Sequence, residues 1–534
     1  MMYHTVGQAR VCAALAMLLM LCGAVPATTA QQQEAPAKGE DRVISVPSFE
    51  LVFDREVQTE PFSGRVLIVV SRGGGRPAWV ELSNWFSSSY ILGVDVKGAF
   101  PGEPVLVSPM DDESILTFPG PLSELEPGRY WVQAVVRRSR KHPAPGHGAG
   151  DLLSRAVKVS INEPPPIDPD TGKPAVDRGP TELRLAQVVE EEGFRETERV
   201  KEVRFVSTLL SQFHHREMEM KATVILPAGW SAEGTKRYPV LYFIPGFGGT
   251  HHTGRMMFQY MKQMPGGTLM DQLIFVVLDP TCYYGHSVFA DSDNNGPWGK
   301  ALVTELIPHI EETYHGTMSG DSRFVTGVSS GGWSSLWLQI TYPDSFAGCW
   351  AHVPDPVDFR QTQQVDIYAP NANMFRDAEG NRIATARQGE QVMLWCDDFV
   401  HREAVIGAGG QMGSLEATFG TKGRNGEPMP LFDRKTGAID PAVAEQWQRY
   451  DIRMILEKQW ETLGPKLGGK LHVFAGGGDN FFLNGAVALL KESLAELGSD
   501  AQVEVIEGMP HMMYVESVEP MLRAVVGEDG EEGG

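Results

Sequence analysis

The stretch that decides the fold is Gly327-Val328-Ser329-Ser330-Gly331, which follows the short apolar run 323–326 and precedes a helix-compatible run at 332–341. A G-x-S-x-G pattern between a strand and a helix predicts a sharp turn that holds the serine in a strained backbone, with its hydroxyl clear of the sheet edge. Glycines on both sides leave room for the turn. Ser329 is therefore predicted to be a nucleophile; an ordinary Ser/Gly-rich loop is the alternative.

Strands and helices alternate from about residue 200 onward. Continuous apolar runs at 238–244 and 273–278 predict strands buried on both faces. Apolar residues at helical spacing predict a helix over 301–314. The pattern is typical of a doubly wound α/β sheet with a largely parallel core. Further strands are predicted at 203–210, 218–226, 323–326, 348–353, 471–475 and 503–506.

The stretch between the strands ending at 353 and starting at 471 is much longer than an ordinary connection. It includes a predicted long helix near 442–463. We therefore expect residues 354–469 to form a cap insertion over the catalytic edge of the sheet.

A serine nucleophile needs a base, and the base needs an acid that orients it. His511 lies on the loop beyond the last predicted strand, which returns to the sheet edge of Ser329, and is the predicted base. Asp479 follows a strand between the serine and the histidine and is the predicted acid. Asp355 and Asp358 follow the preceding strand; Asp358 is the alternative if Asp479 is wrong.

An oxyanion would need two amide donors. The first is predicted to be the amide of Ser330. The second should come from the glycine-rich turn 245–249 after the first buried strand, with Phe247 as the donor and Gly248 as the alternative.

Candidate substrate-binding residues flank this expected site: Gly248, His251, Trp298 and Trp333. Solvated loop positions for the histidine and core packing for the tryptophans are the alternatives. No metal is predicted, because the calcium-loop-like run 291–296 has Leu302 where a bidentate glutamate is required. No other cofactor is predicted.

The sequence divides into predicted regions with different compositions. Residues 1–30 resemble a cleaved signal peptide, which predicts a secreted or periplasmic protein; a lipoprotein signal and an uncleaved anchor are the alternatives. A small Ig-like β-sandwich is predicted at 41–162, a proline-rich linker at 163–182, the α/β domain at 200–524 and a disordered acidic tail at 525–534.

The whole-chain composition excludes some partners. The chain has 534 residues, of which 42% are hydrophobic, and its net charge is -22. This charge argues against nucleic acid or an anionic membrane surface as a partner. Three cysteines remain after residue 30, an odd and low number that predicts no disulfide framework. The oligomeric state is not predicted.

From about Val203 to Tyr514 the chain resembles the putative esterase family, which includes esterase D-like, feruloyl esterase-like and enterobactin esterase-like enzymes. The resemblance is carried by residues 238–249, 305–311, 327–332 and 342–346. It implies an α/β-hydrolase fold and cofactor-free hydrolysis of carboxylic esters. Because an exported hydrolase with a β-sandwich fits esters on polysaccharides or small molecules, acyl or feruloyl esters of carbohydrates are the expected substrates. A serine peptidase of the same fold and a non-catalytic surface binding protein are the alternatives.

Overall fold

A computed structural model describes residues 45–73, 77–164 and 179–527 of the chain. The predicted signal peptide, most of the predicted linker and residues 528–534 of the predicted tail lie outside the described residues. The chain divides into two compact units. The first holds the described residues up to Glu192 together with Asp398–Gly410, and the second holds the described residues of Gly193–Asp397 and of the segment from Gln411 onward.

The first unit is built on one β-sheet. Its strands are β1 (Phe49–Phe53), β2 (Phe62–Ser71), β3 (Tyr90–Ala99), β4 (Pro104–Val107), β5 (Leu116–Phe118), β6 (Gly128–Val136), β7 (Leu152–Ser154), β8 (Val157–Ile161) and β9 (Thr181–Val188). They form one hydrogen-bonded sheet in the order β4-β1-β9-β7-β6-β2-β3-β5, with β8 paired to β6. Inward residues of β1, β2, β3, β6 and β9 share one apolar cluster. Alternate residues of β2, β3 and β6 belong to a second, smaller cluster, which also contains residues of β7 and of the segment 398–410.

Two boundaries of the first unit differ from the predicted ones. The unit does not end at 162, because β9 pairs in parallel with β1. The alternating Leu183 and Leu185 point into the core, but their partner strand lies far earlier in the chain, which local sequence does not reveal. The unit also takes in Asp398–Gly410 from the predicted cap, where Arg402 donates to the carbonyl oxygens of Glu81 and Leu82.

The second unit contains the remaining elements. Its strands are β10 (Val200–Val206), β11 (Glu219–Ile225), β12 (Val240–Ile244), β13 (Ile274–Leu278), β14 (Thr281–Cys282), β15 (Gly285–His286), β16 (Asp291–Ser292), β17 (Gly296–Pro297), β18 (Arg323–Val328), β19 (Gly348–His352), β20 (Ala384–Gln388), β21 (Gln391–Trp395), β22 (Leu471–Gly476) and β23 (Gln502–Ile506). Its helices are α1 (Thr208–His214), α2 (Gly254–Lys262), α3 (Trp298–Ala301), α4 (Ile307–Tyr314), α5 (Ser330–Thr341), α6 (Cys396–Ile406, which continues into the first unit), α7 (Gln411–Phe419), α8 (Pro441–Trp447), α9 (Ile452–Leu467), α10 (Asn484–Glu496) and α11 (Val518–Val526).

The predicted doubly wound sheet is confirmed. Eight strands lie in the order β10-β11-β13-β12-β18-β19-β22-β23. The β10–β11 and β11–β13 pairs are antiparallel, and the pairs from β13 through β23 are parallel. The parallel strands end at the same edge, since Ile244 pairs with Gly327 and Gly476 with Ile506. The loops after β12, β18, β19, β22 and β23 therefore meet at one edge.

Two predicted elements have different bounds in the structure. The strand predicted at 203–210 ends at Val206, because the Ser207 hydroxyl accepts from the amide of Leu210 and caps α1. The helix predicted near 442–463 is two helices, because Asp451 breaks the run and caps α9 through the amide of Met454.

Within the described part of the chain, no helix is both long and apolar enough to span a bilayer. The three cysteines there, Cys282, Cys349 and Cys396, are buried thiols outside any disulfide.

Candidate active site

Ser329 lies at a strained turn between β18 and α5. Its backbone has φ 60° and ψ -125°, a region that residues other than glycine rarely adopt. The flanking glycines are required by close packing: a Cβ on Gly331 would lie 1.9 Å from the Ile244 carbonyl oxygen, and one on Gly327 would lie 2.2 Å from the Gly331 carbonyl oxygen. The turn leaves the serine partly exposed. The sharp strand-to-helix turn predicted from the motif is therefore present.

His511 and Asp479 are in contact. The Nδ1 atom of His511 is 2.8 Å from Oδ2 of Asp479, and both side chains are buried. The other carboxylate oxygen, Oδ1, accepts from the amides of Phe481 and Leu483. These bonds hold the carboxylate in place, and the Asn480 side chain accepts from the amide of His511. With Nδ1 donating to Asp479, the Nε2 atom is the one left to act as a base.

The carboxylates around His511 keep it basic. Burial alone would lower the pKa of His511, but the charges of Asp479 and Asp355 and the hydrogen bond that His511 donates to Asp479 raise that pKa above the ordinary histidine value. The alternative acid, Asp358, is engaged elsewhere: its carboxylate pairs with Arg360 at 2.6 Å and with Arg453 at 3.3 Å. The structure thus brings Asp479, and not Asp358, to the histidine.

Asp355 forms a second carboxylate contact beside the nucleophile. Its Oδ2 accepts from the Ser330 hydroxyl at 2.5 Å. Burial raises the pKa of Asp355 above its usual value. The amide nitrogen of the Gln411 side chain is 3.4 Å from both Ser330 Oγ and Asp355 Oδ2. Gln411 was missed by the sequence analysis, because it comes from α7, far along the chain.

The predicted oxyanion turn runs beside the serine. A Cβ on Gly246 would lie 3.1 Å from Ser329 Cβ, so the backbone of 245–249 passes close to the nucleophile. Phe247 belongs to this turn and is half-buried, and Gly248 has φ 80° and open space around it. Ser330 is the first residue of α5, where backbone amides have no partner within the helix. Both predicted donors are therefore on segments that meet at the serine.

A buried histidine braces this turn. His286 Nε2 donates to the Pro245 carbonyl oxygen at 3.0 Å, and its Nδ1 accepts from the amide of Val288 at 2.9 Å. Burial lowers the pKa of His286 to about 4, so the ring is neutral near pH 7. No local motif marks this residue, and the sequence analysis did not find it.

Three of the predicted substrate-binding side chains are placed differently from the prediction. His251 is 1% exposed, with Nδ1 against Asp279 and Nε2 against Glu202, so both of its ring nitrogens are already engaged. Trp298 is 2% exposed. Trp333 is fully buried; it stacks on Trp337 and packs at a tilt against Phe419, with 5.1 Å between ring centres in each case. Both tryptophans are thus part of the core, because α3 and α5 turn those faces inward.

A cavity of about 660 Å³ adjoins the loop that carries Asp479. Phe482 and residues of β20, β21 and the segments around them line it. Arg387 belongs to the lining, and its Nε donates to the Asp479 carbonyl oxygen at 3.0 Å. Its guanidinium also lies 4.4 Å from the centre of the Phe482 ring. Arg387 therefore links the wall of the cavity to the backbone of Asp479, the predicted acid.

The strand order is that of an α/β-hydrolase fold, and the candidates Ser329, Asp479 and His511 follow one another in the chain order Ser, Asp, His that is typical of this fold. Residues 214–453 are similar to the sequence model of the family described as putative esterase.

Two curated relatives of Mycobacterium tuberculosis carry the same family name. Esterase Rv1288 and Esterase MT1326 are each 27% identical over 183 residues, which cover 34% of this chain and 39% of each relative. The match thus spans well under half of the relatives' length. It supports the family and leaves the activity of the whole chain to be proposed.

Solved structures that are similar to this chain have low sequence identities and low TM-scores. A ferulic acid esterase is 16% identical, with 62% of this chain and 98% of that chain covered and a TM-score of 0.38. An S-formylglutathione hydrolase from Agrobacterium tumefaciens is 15% identical, with 60% and 91% covered and a TM-score of 0.36. FphF, a fluorophosphonate-binding serine hydrolase of Staphylococcus aureus, is 16% identical, with 61% and 98% covered and a TM-score of 0.37.

Proposed function

We propose that this protein is a serine esterase that hydrolyses carboxylic esters through an acyl-enzyme. The observation that carries the proposal is the buried contact between His511 Nδ1 and Asp479 Oδ2, at the same sheet edge as a serine held at a strained strand-to-helix turn. A serine at such a turn with an oriented histidine is the arrangement that activates a hydroxyl for attack. The family match of residues 214–453 supports ester chemistry.

Each residue then has one role. Ser329 Oγ attacks the ester carbonyl while His511 Nε2 takes its proton and later returns it to the leaving alcohol. Asp479 holds the ring orientation and stabilises the imidazolium cation. The amides of Phe247 and Ser330 donate to the oxyanion. Water, activated by the same histidine, then cleaves the acyl-enzyme and releases the acid.

The decisive experiment uses a fluorophosphonate probe and a short nitrophenyl ester. We expect wild-type protein to be labelled and to turn over the ester, and Ser329→Ala to lose both without loss of folded structure by circular dichroism. Ser231→Ala, at an exposed serine outside the site, is the matched control and should behave as wild type. Undiminished turnover by Ser329→Ala would refute the mechanism.

The same experiment separates the alternatives. Absence of labelling in folded wild-type protein would indicate a non-catalytic binding protein. Labelling with cleavage of peptides and no cleavage of esters would indicate a peptidase.

For the substrate, we propose acyl or feruloyl esters of carbohydrates. The 660 Å³ cavity supports this, because it is large enough for sugar residues and adjoins the Asp479 loop. Trp395 is part of its lining. An ester panel that includes acetylated and feruloylated glycans tests the proposal. We expect Trp395→Ala to raise KM for glycan esters and to leave KM for nitrophenyl acetate unchanged; equal effects on both would contradict it.

We also propose export to the periplasm or the medium, on the apolar run 11–25 and the small residues before Gln31. Cell fractionation and N-terminal sequencing test this. The expected mature protein begins at Gln31, and recovery of the intact N-terminus in the cytosol would contradict it.

A further inference from the structure

A cluster of potential metal ligands lies in the second unit, outside the residues assigned to ester hydrolysis. Glu202 on β10 and the neighbouring His251 and His252 each offer one ligand atom, and these atoms all lie within 4.8 Å of one another. His251 Nε2 is already 2.9 Å from Glu202 Oε1. Glu202 and His252 are partly exposed, so an ion could enter from solvent.

The orientation of His251 is that of a metal-binding imidazole. Its Nδ1 lies 2.6 Å from Asp279 Oδ2, and the other oxygen of Asp279 accepts from the amide and the hydroxyl of Thr281. A carboxylate fixed behind one ring nitrogen directs the other nitrogen outward, as in carboxylate–histidine–zinc arrangements. Here the outward nitrogen, Nε2, is the one that faces Glu202.

The backbone holds these residues in register. Glu202 pairs across β10 and β11 with Thr223, whose hydroxyl donates to the carbonyl oxygen of His251 at 2.6 Å. The amide of Asp279 donates to the carbonyl oxygen of Lys221, also on β11. The segments that carry the ligands are therefore all hydrogen-bonded to β11.

We propose that Glu202, His251 and His252 form a site for a divalent transition-metal ion, best suited to Zn²⁺, with Asp279 as the positioning residue behind His251. Two imidazoles and one carboxylate are a donor set that zinc accepts, with water in the remaining position. Zinc bonds of about 2.0–2.2 Å require the three donors to approach one another more closely than 4.8 Å, which a rotation of the partly exposed His252 ring would supply.

The site would brace the oxyanion turn. His251 comes shortly after the turn 245–249, and zinc would reinforce the existing contact between His251 and Glu202 of β10. Because zinc binds these ligands when the folded protein holds them together and not when they are apart in the unfolded chain, zinc should raise the melting temperature of the protein.

The test measures zinc binding to tag-free, full-length protein after dialysis against chelator. Isothermal titration with Zn²⁺ should give one ion per chain. Glu202→Gln and His252→Gln should each weaken binding at least tenfold, and His309→Gln and Glu312→Gln are the matched controls at exposed positions outside the cluster. Circular dichroism shows whether each variant is folded. Asp279→Asn should also weaken binding, by about 10–100-fold if it acts as an orienting residue.

A second readout does not depend on affinity. Co²⁺ in place of Zn²⁺ should give the visible d–d absorption of a low-coordinate site without a thiolate charge-transfer band, because no cysteine belongs to the ligand set. Ser329→Ala should bind zinc as wild type does, so this site and the proposed esterase activity can fail separately. Less than one ion per chain, or equal binding by the cluster and control variants, would overturn the proposal.

Discussion

Replacement of Gly331 by alanine tests whether the strained turn is what positions the nucleophile. A Cβ at this position would lie 1.9 Å from the carbonyl oxygen of Ile244, 2.6 Å from its carbonyl carbon and 2.7 Å from the carbonyl oxygen of Pro245. All three atoms are backbone, so no side chain can rotate away. The end of β12, which leads directly into the oxyanion turn, must move instead.

The size of that movement follows from the contact. Carbon and oxygen atoms in ordinary contact are about 3.4–4 Å apart, so the 1.9 Å approach requires a shift of roughly 1.5 Å. A misplacement of about 1 Å in an active site costs on the order of 10²-fold in rate. We therefore expect Gly331→Ala to lower kcat/KM for a nitrophenyl ester by at least about 10²-fold, with a loss of stability of about 1–3 kcal/mol from overpacking.

The assay compares three variants under one set of conditions. Gly413→Ala, in α7, adds a Cβ into open space and should retain full activity. Gly246→Ala brings a Cβ to 3.1 Å from Ser329 Cβ and 3.2 Å from the Val328 carbonyl oxygen, so its loss should be intermediate. If Gly331→Ala folds and keeps more than about a third of wild-type kcat/KM, the close approach of the two segments does not control catalysis.

Three further predictions concern the acid, the base and a buried ion pair. Asp479→Asn should lower kcat by about 10⁴-fold with the fold intact. Asp358→Asn should reduce the stability of the protein more than its kcat. If Asp358→Asn instead lowered kcat and Asp479→Asn mainly reduced stability, Asp358 would be the acid. The base must be neutral to accept a proton, and the pKa of His511 is raised. We therefore expect kcat/KM to fall with decreasing pH around a pKa above that of ordinary histidine. A fall around a pKa below that of ordinary histidine would contradict the proposed effect of the carboxylates. Glu311→Gln leaves the buried Arg323 guanidinium without its charge partner and should cost about 3 kcal/mol or more in urea unfolding, while a cost below 1 kcal/mol would show that the pair is solvated.

The sequence predicted the α/β sheet because its signals are local. Buried parallel strands are continuous apolar runs, and the one at 240–244 is recognisable without its neighbours. The G-x-S-x-G turn is equally local, since its glycines are set by contacts within a few residues and by the strand beside it. Chain order then led to Asp479 and His511 as the candidate acid and base, with Asp358 as the alternative acid, because parallel strands end at one edge.

Other features depend on residues far apart in the chain. His251 resembles an exposed loop residue in the sequence, yet two carboxylates from other strands enclose its ring. Trp298 and Trp333 could face a pocket or a core with equal sequence support, and only the direction of their helices decides. Gln411 and His286 reach the site from segments with no motif at all.

The sequence by itself thus predicted the buried strands of a largely parallel sheet, the strained turn at Ser329 and the candidates for base and acid, because short-range sterics, strand periodicity and chain order govern these features. Tertiary structure alone decided that Asp479, and not Asp358, contacts His511. It also decided that β9 completes the first unit and that Asp355 accepts from the Ser330 hydroxyl. Each of these is a hydrogen-bonded pairing between distant segments, and the choice of partner depends on how the whole chain packs.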